Sequence, residues 1–314
     1  MKIKGTFLDE ISHDIPHQNW GRDEWDLDFS YMKQIGINTV ILIRSGYQKW
    51  LTYPSKILVA REGAYTPPVD LVHMFLDLSE KHGMDFYFGL YDSGRYWVNG
   101  EFQKELDLNK MLIEEVWNAY GRRKAFKGWY ISQECSRKTG TIIDMYAGLG
   151  KHCKEVSGQL TTLISPYIDG LKNISQYQSE TSRPEGISLS RHEEDWSEIF
   201  DGIRDSIDIV AFQDGHISFD ELDEFFAVNK RMADKCGIRS WTNSETFDRD
   251  MPIKFLPIKW EKLLMKLKAA ERAGMEQAVT FEFSHFMSPQ SAYLQAGHLY
   301  NRYQAYLDGL ESYS

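Results

Sequence analysis

Eight short apolar segments alternate with longer amphipathic segments along the chain, and this alternation restricts its fold more than any other feature. The short segments are rich in Val, Ile, Phe, Tyr and Thr, which favour strands, whereas the longer ones have helical spacing. The predicted strands are 2–10, 38–45, 85–93, 126–134, 159–167, 207–215, 238–246 and 277–285. The predicted helices are 23–35, 69–82, 105–121, 141–157, 192–205, 218–236, 257–273 and 290–308. Such an order indicates βα units and a parallel sheet.

Helix boundary signals support this division. Six glycines stand between a predicted helix and the next strand, where a left-handed C-cap residue is expected: Gly36, Gly83, Gly121, Gly158, Gly237 and Gly274. Asp70 is a predicted N-cap, and Ser218 with Glu221 forms a capping-box pattern. Since no GxGxxG turn follows the first strand, the eight units favour a closed (β/α)8 barrel over an open doubly wound sheet. We expect one barrel domain over residues 1–314, with a long loop at about 166–190 after the fifth strand.

The composition restricts the partners. The net charge of −10 argues against a nucleic-acid or anionic-membrane partner, because either would require a basic face. The three cysteines lack CxxC spacing, which argues against a disulfide framework or a cysteine zinc site. No apolar run reaches the length of a membrane span. As the sequence reads we expect a cytoplasmic monomer without a cofactor; a signal peptide removed before residue 1 would make the protein periplasmic or secreted.

Polar side chains gather where the predicted strands end, and in a (β/α)8 barrel this C-terminal edge carries the chemistry. The set comprises Asp9, Glu10, Arg44, Asp92, Glu134, Asp214, Glu245, Glu282 and His285. Part of it is expected to cap helices or to pair with Arg44. A carboxylate at the start of a buried region is nevertheless unfavourable unless it is paired or used, so the edge is a candidate active site.

Two glutamates in this set suit glycoside hydrolysis. Glu134 ends the fourth predicted strand and Glu245 ends the seventh, so they face each other across the barrel mouth. Retaining glycosidases use two carboxyl groups about 5 Å apart, one as acid/base and one as nucleophile. Glu134 shares the strand parity of Tyr130, and Glu245 that of Trp241 and Asn243, so both glutamates can point inward. Trp129, beside Glu134, is a further candidate for an aromatic wall.

This arrangement resembles the large clan of retaining barrel glycoside hydrolases, in which a glutamate after strand four is the acid/base and a glutamate after strand seven is the nucleophile. The resemblance implies these roles for Glu134 and Glu245; Gln133 stands where the clan usually has Asn. More closely, the segments GTFLDE, MKQIGINTVIL, GWYISQE and LISPY resemble an uncharacterised family of bacterial barrel proteins described as glycoside-hydrolase-like. That resemblance covers most of the chain and brings no established substrate.

Further residues at the same edge are candidates for binding a carbohydrate. Flat rings beside polar groups suit the C–H faces of sugars, and Trp50, Tyr96, Trp97 and Tyr167 follow predicted strands. These rings are equally compatible with packing the loops on the barrel rim. The hydrogen-bonding candidates are Asp9, Arg44, Asp92, Gln133, Asp214, Asn243, Glu282 and His285.

Two alternatives stay open. A metal-dependent sugar isomerase or epimerase would use Glu134, Asp214, Glu245, Glu282 and His285 around Mn²⁺ or Mg²⁺. A sugar-binding barrel without turnover is compatible with the same residues.

Other histidines and loops are less suited to a site. Pro16 between His13 and His17 argues against a shared helix face, and His192 at a helix start is expected to be exposed. A phosphate-binding barrel is disfavoured, because the segments after strands seven and eight contain no glycine. The favoured function is hydrolysis of an oligo- or polysaccharide.

Overall fold

The computed structural model describes residues 1–12, 15, 17–171, 186–249 and 255–311. These residues form a closed barrel of parallel strands with helices between them, which confirms the predicted (β/α)8 fold. The barrel strands are β1 (Ile3–Leu8), β2 (Thr39–Leu42), β3 (Asp85–Gly89), β4 (Phe126–Ile131), β5 (Thr161–Ile164), β6 (Ile209–Gln213), β7 (Arg239–Glu245) and β8 (Gln277–Phe281). The surrounding helices are α1 (Arg22–Gln34), α2 (Leu71–His82), α3 (Phe102–Tyr120), α4 (Ile142–Ser157), α5 (Leu189–Ile203), α6 (Leu222–Lys235), α7 (Trp260–Arg272) and α8 (Leu294–Glu311).

The barrel closes because β1 pairs in parallel with β2 on one side and with β8 on the other. Side chains alternate between the interior and the helices, as a strand requires. Tyr130 and Trp241 belong to the interior cluster. Trp129 instead packs with the helices, where its indole donates to Ser157 Oγ at 3.1 Å, so it forms no wall beside Glu134. Within the described residues, no helix combines the length and apolar character needed to cross a bilayer.

Most predicted helix ends are confirmed. Asp70 Oδ1 accepts from the His73 backbone N–H at 2.8 Å, and five of the six glycines have positive φ. Gly121 is the exception, with φ −61°, because the helix ends here in a right-handed conformation; a β-carbon would lie 2.5 Å from the Trp117 ring. The capping-box prediction at Ser218 is wrong. The helix α6 begins at Leu222, and Glu221 accepts from the Ser218 N–H ahead of it.

Short elements cover the C-terminal end of the barrel. The segments Gly46–Tyr47, Trp50–Leu51 and Tyr91–Asp92 form a three-stranded sheet, which we call the rim sheet. A helix at Lys56–Glu62 follows it. Phe247–Asp248 and Leu256–Pro257 form a two-stranded sheet after β7. Residues 172–185, most of the predicted long loop after β5, lie outside the described residues.

Candidate active site

A cavity of about 410 Å³ opens at the C-terminal ends of the strands, and both candidate glutamates line it. Its other polar lining residues are Ser12, Arg44, Asp92, Gln213 and Arg249. Its apolar lining residues are Ile15, Ile43, Tyr47, Trp97, Val98, Phe247, Phe255 and Phe281. This volume is within the range of about 300–1,000 Å³ found for small-molecule sites.

Glu134 follows β4 and keeps one side open to the cavity, with its side chain 19% exposed. The Tyr130 hydroxyl, from inside the barrel, donates to Glu134 Oε1 at 2.5 Å. The Arg44 guanidinium lies on the other side, with Nη2 3.7 Å from Oε2. Burial raises the pKa of Glu134, and Arg44 and Tyr130 offset only part of this increase. Its carboxyl group therefore keeps its proton to higher pH than an ordinary glutamate.

Glu245, the last residue of β7, has the opposite electrostatics. Its side chain is 2% exposed, and Arg249 binds both carboxylate oxygens, Nε to Oε2 and Nη2 to Oε1, each at 2.8 Å. Burial by itself would raise the pKa of Glu245, but the charge and hydrogen bonds of Arg249, together with the charge of Lys266, outweigh burial and lower it. Glu245 thus favours its ionised form, whereas Glu134, which lines the same cavity, favours its protonated form.

The backbone of Glu245 is also held on both sides. Its N–H donates to Asp214 Oδ1 at 3.0 Å, and its carbonyl accepts from Lys266 Nζ at 3.1 Å. Lys266, buried on α7, also donates to Asp214 Oδ1 at 2.7 Å. Gly215 lies against the carboxylate; a β-carbon there would stand 1.7 Å from Glu245 Oε2, so this position requires glycine. Asp214 therefore positions Glu245 and does not itself line the cavity.

Arg44 connects Glu134 to the rim sheet. Its Nε lies 3.5 Å from Asp92 Oδ2, and its Nη1 donates to Ser12 Oγ at 3.2 Å. Asp92 Oδ1 in turn accepts from the Trp97 indole at 2.9 Å. Arg44, Asp92 and Trp97 therefore form one polar wall of the cavity, with Arg44 as the counter-ion of Glu134.

Three predicted polar residues point elsewhere. Gln133 donates to Glu105 Oε1 at 2.8 Å, outside the barrel, so its amide does not take the place of an Asn beside Glu134. Asn243 is buried inside the barrel, where it donates to Ser165 Oγ at 3.0 Å. Asp9 Oδ1 accepts from the backbone N–H of Ser12 at 2.9 Å and so shapes the turn after β1.

Three of the four predicted aromatic platforms lie outside the cavity lining. Tyr96 is half-buried and its hydroxyl donates to Glu62 at 3.1 Å. The Tyr167 ring packs on His216, with centroids 5.3 Å apart. Trp50 is exposed on the rim sheet. Trp97 is the predicted platform that the cavity includes.

Glu282 and His285 form a separate buried cluster with Glu10. Glu282 Oε1 lies 2.7 Å from His285 Nδ1, whose Nε2 is 3.9 Å from Glu10 Oε1. Burial would lower the pKa of His285, but Glu282 and Glu10 outweigh it and raise the value to about 9. These residues do not line the cavity.

The metal-ligand set of the isomerase alternative is not assembled. Asp214 binds Lys266, Glu245 binds Arg249 and Glu282 binds His285. Across the described ranges, no group of three or more His, Cys, Asp or Glu side chains has an arrangement that could hold a metal ion. His13 lies outside those ranges.

Several residues that line the cavity were not among the candidates predicted from the sequence. Arg249 stands four residues after Glu245 in SETFDRD, a spacing that was a usable signal for a cation beside the carboxylate. Tyr47 lies in the aromatic loop segment GYQKW, in which Trp50 is the candidate predicted from the sequence. Phe255 and Phe281 reach the cavity only because the loop after β7 packs against the end of β8.

The comparisons with known proteins agree with this architecture. A family model described as a domain of unknown function, DUF4434, matches residues 3–293. No curated protein sequence matches the chain. A solved structure from Bacteroides thetaiotaomicron VPI-5482, described as a "putative alpha-L-fucosidase", is 61% identical, with a TM-score of 0.93 over 98% of this chain and 95% of that one.

More distant structures share the fold. An endo-1,4-beta-D-mannanase from Thermotoga petrophila RKU-1 is 9% identical, with a TM-score of 0.56 over 97% of this chain and all of that one (100%). An intracellular xylanase from Thermoanaerobacterium saccharolyticum JW/SL-YS485 is 12% identical, with a TM-score of 0.51 over 89% of this chain and 85% of that one. The structural neighbours are therefore glycoside hydrolase barrels, which confirms the resemblance noted in the sequence.

Proposed function

The chain belongs to the DUF4434 family, and from that premise and the geometry of its cavity we propose that it is a retaining glycoside hydrolase. One observation carries the proposal: Glu134 and Glu245 line the same cavity, and their surroundings displace their pKa values in opposite directions. Two carboxyl groups with separated pKa values are what acid and nucleophile roles require.

In this mechanism protonated Glu134 gives its proton to the glycosidic oxygen while ionised Glu245 attacks the anomeric carbon. The bond to the leaving group breaks, and a bond from Glu245 to the sugar forms. Glu134, now ionised, removes a proton from a water molecule. That water attacks the anomeric carbon, releases Glu245 and restores the starting protonation of both residues. Arg44 stabilises Glu134 during the interval in which it carries a charge.

The sugar bound next to Glu245 is proposed to be a 6-deoxyhexose in an α-L-fucoside. Phe247, Phe255 and Phe281 form an apolar wall on this side of the cavity, and Arg249 lies over the Phe247 ring with its guanidinium carbon 4.9 Å from the centroid. A methyl group in place of a hydroxymethyl group suits such a wall, because a buried hydroxyl without a partner is unfavourable. The description of the 61% identical structure supports the same sugar.

The first test is hydrolysis of a panel of p-nitrophenyl glycosides that includes the α-L-fucoside. Glu134→Gln and Glu245→Gln are each expected to lower kcat by about 10³-fold or more, because each removes a group that acts directly on the reacting atoms. Circular dichroism should show an unchanged fold.

Glu10→Gln is the matched control. Glu10 is a buried carboxyl group near the mouth that does not line the cavity, so its substitution removes no group from the proposed site. This variant should keep near-normal activity. Full activity of Glu245→Gln on a hydrolysed glycoside would refute the assigned roles.

Azide separates the two roles. In Glu245→Ala, azide is expected to attack the anomeric carbon in place of the carboxylate and give a glycosyl azide of inverted configuration. In Glu134→Ala, azide should instead attack the glycosyl–enzyme and give the retained configuration. NMR of the products distinguishes the two. Binding of sugars without turnover of any glycoside would favour the non-catalytic alternative.

A further inference from the structure

The rim sheet places three side chains in one cross-strand row. Trp50 is paired with Tyr47 across an antiparallel contact, and Tyr47 is paired with Asp92 across a parallel one. Paired residues project from the same face of a sheet. Neighbouring strands lie about 4.8 Å apart, so the row spans about 10 Å. Asp92 and Tyr47 line the cavity, whereas Trp50 lies beyond its edge.

The outer end of the row is an exposed but ordered aromatic surface. Trp50 is 62% exposed and Tyr65 is 53% exposed, and their ring centroids are 5.2 Å apart. The backbone N–H of Tyr65 donates to the Lys49 carbonyl at 2.8 Å, which ties the loop carrying Tyr65 to the rim sheet. Two large rings held together in water leave a surface that an apolar sugar face can cover.

The row begins on the Glu134 side of the cavity. The Arg44 guanidinium, which is 3.7 Å from Glu134 and 3.5 Å from Asp92, lies 5.8 Å from the Tyr47 ring centroid. Glu245 instead pairs with Arg249, whose guanidinium lies over the Phe247 ring. An acid that protonates the leaving oxygen lies beside the leaving group. The row therefore leads away from the cleaved bond in the direction of the leaving group.

We propose that Trp50 and Tyr65 form an outer platform for a sugar in the leaving-group part of an oligosaccharide substrate. This inference rests on the proposed function, since the assignment of Glu134 as the acid gives the row its direction. The row is longer than one pyranose ring, so the platform receives the second leaving-group sugar, and Tyr47 with Trp97 receives the first. The substrate class is then a fucosylated oligosaccharide of at least three sugars.

The experiment compares two substrates that share a glycone. p-Nitrophenyl α-L-fucoside ends near Tyr47, whereas 2′-fucosyllactose carries two sugars in its leaving group. Trp50→Ala is expected to lower kcat/KM for 2′-fucosyllactose roughly tenfold, because a stacking contact is lost. The same substitution should change kcat/KM for the aryl fucoside by less than about twofold. Trp50→Phe should recover part of the loss. Leu294→Ala removes an apolar side chain that is 90% exposed on α8, and it should leave kcat/KM for both substrates unchanged.

The platform proposal would be refuted if Trp50→Ala lowered kcat/KM equally for both substrates or left it unchanged for both. Calorimetry of 2′-fucosyllactose binding separates this failure from failure of the proposed function. If the wild-type protein binds the trisaccharide without hydrolysing it and Trp50→Ala weakens binding, the platform stands and the hydrolase does not. If Trp50→Ala leaves trisaccharide binding unchanged, the platform is refuted. If the wild-type protein neither binds the trisaccharide nor hydrolyses either substrate, the platform and the proposed function are both refuted.

Discussion

At the scale of single residues, contacts with arginine give two otherwise identical side chains different pKa values. Burial raises the pKa of Glu134 and would do the same to Glu245. Arg44 contacts Glu134 at 3.7 Å through one nitrogen, whereas Arg249 binds Glu245 through two nitrogens at 2.8 Å. A bidentate guanidinium–carboxylate pair is much stronger than a single long contact. The difference between the pKa values of the two glutamates therefore depends on contact geometry.

Arg249→Met is expected to lower kcat/KM by about 100-fold at pH 7, because a preorganised charge is lost. Burial then dominates and raises the pKa of Glu245, so the acidic limb of the kcat/KM profile should move to higher pH. Arg249→Lys keeps the charge without the bidentate contact and should be intermediate. The control is Arg272→Met, which breaks an exposed pair with Asp223. A profile with an unmoved acidic limb would contradict the role given to Arg249.

At the scale of elements, helix α5 buries a residue of its first turn, a position that is usually exposed. His192 lies in its first turn and was expected to be exposed, but it is fully buried, and that prediction is wrong. His192, Trp196, Ile199 and Ile203 form one stripe at helical spacing that packs on the barrel. His192 Nε2 lies 2.6 Å from Asn229 Oδ1 on α6. The histidine thus begins the buried stripe of the helix.

Burial of His192 predicts a loss of stability in acid. Burial lowers its pKa from 6.5 to about 4, so below about pH 6.5 the unfolded chain takes up a proton that the folded protein does not. His192→Gln retains a hydrogen-bonding group but does not titrate. Between pH 7 and pH 5, the free energy of unfolding of wild type should fall by roughly 2 kcal/mol more than that of the variant. Chemical denaturation at each pH measures this difference.

The control for this prediction is His298→Gln, at an exposed position on α8. This substitution at the surface should change the free energy of unfolding by less than about 0.5 kcal/mol. A difference between wild type and His192→Gln that is the same at pH 7 and pH 5 would show that the buried histidine contributes nothing to the acid sensitivity of the protein.

At the scale of the whole molecule, the last helix holds the first strand in the barrel. The buried backbone N–H of Ile3 on β1 donates to the Tyr303 hydroxyl of α8 at 2.6 Å. The amino group of Met1 donates to Glu271 on α7 at 2.8 Å and to Tyr306 on α8 at 3.1 Å. Since β1 pairs with both β2 and β8, these contacts join the two ends of the chain where the barrel closes.

Tyr303→Phe is expected to lower the free energy of unfolding by about 1–3 kcal/mol, because it leaves the buried Ile3 N–H without its partner. Urea denaturation monitored by tryptophan fluorescence measures the change. Tyr31→Phe, at a half-buried tyrosine on α1, controls for the loss of a hydroxyl. Similar stability of both variants and wild type would show that this contact does not secure the closure.

The sequence by itself determined the order of strands and helices, the closed barrel and the Asp70 cap, because each depends on periodicity or on neighbours within one helical turn. It also placed Glu134 and Glu245 at strand ends that meet at one mouth. Only the tertiary structure decided which side chains face the cavity. Gln133 donates a hydrogen bond to Glu105, Trp50 lies outside the cavity lining, and Arg249 binds Glu245. These outcomes depend on loop paths and on contacts between segments distant in the chain, which local patterns do not encode.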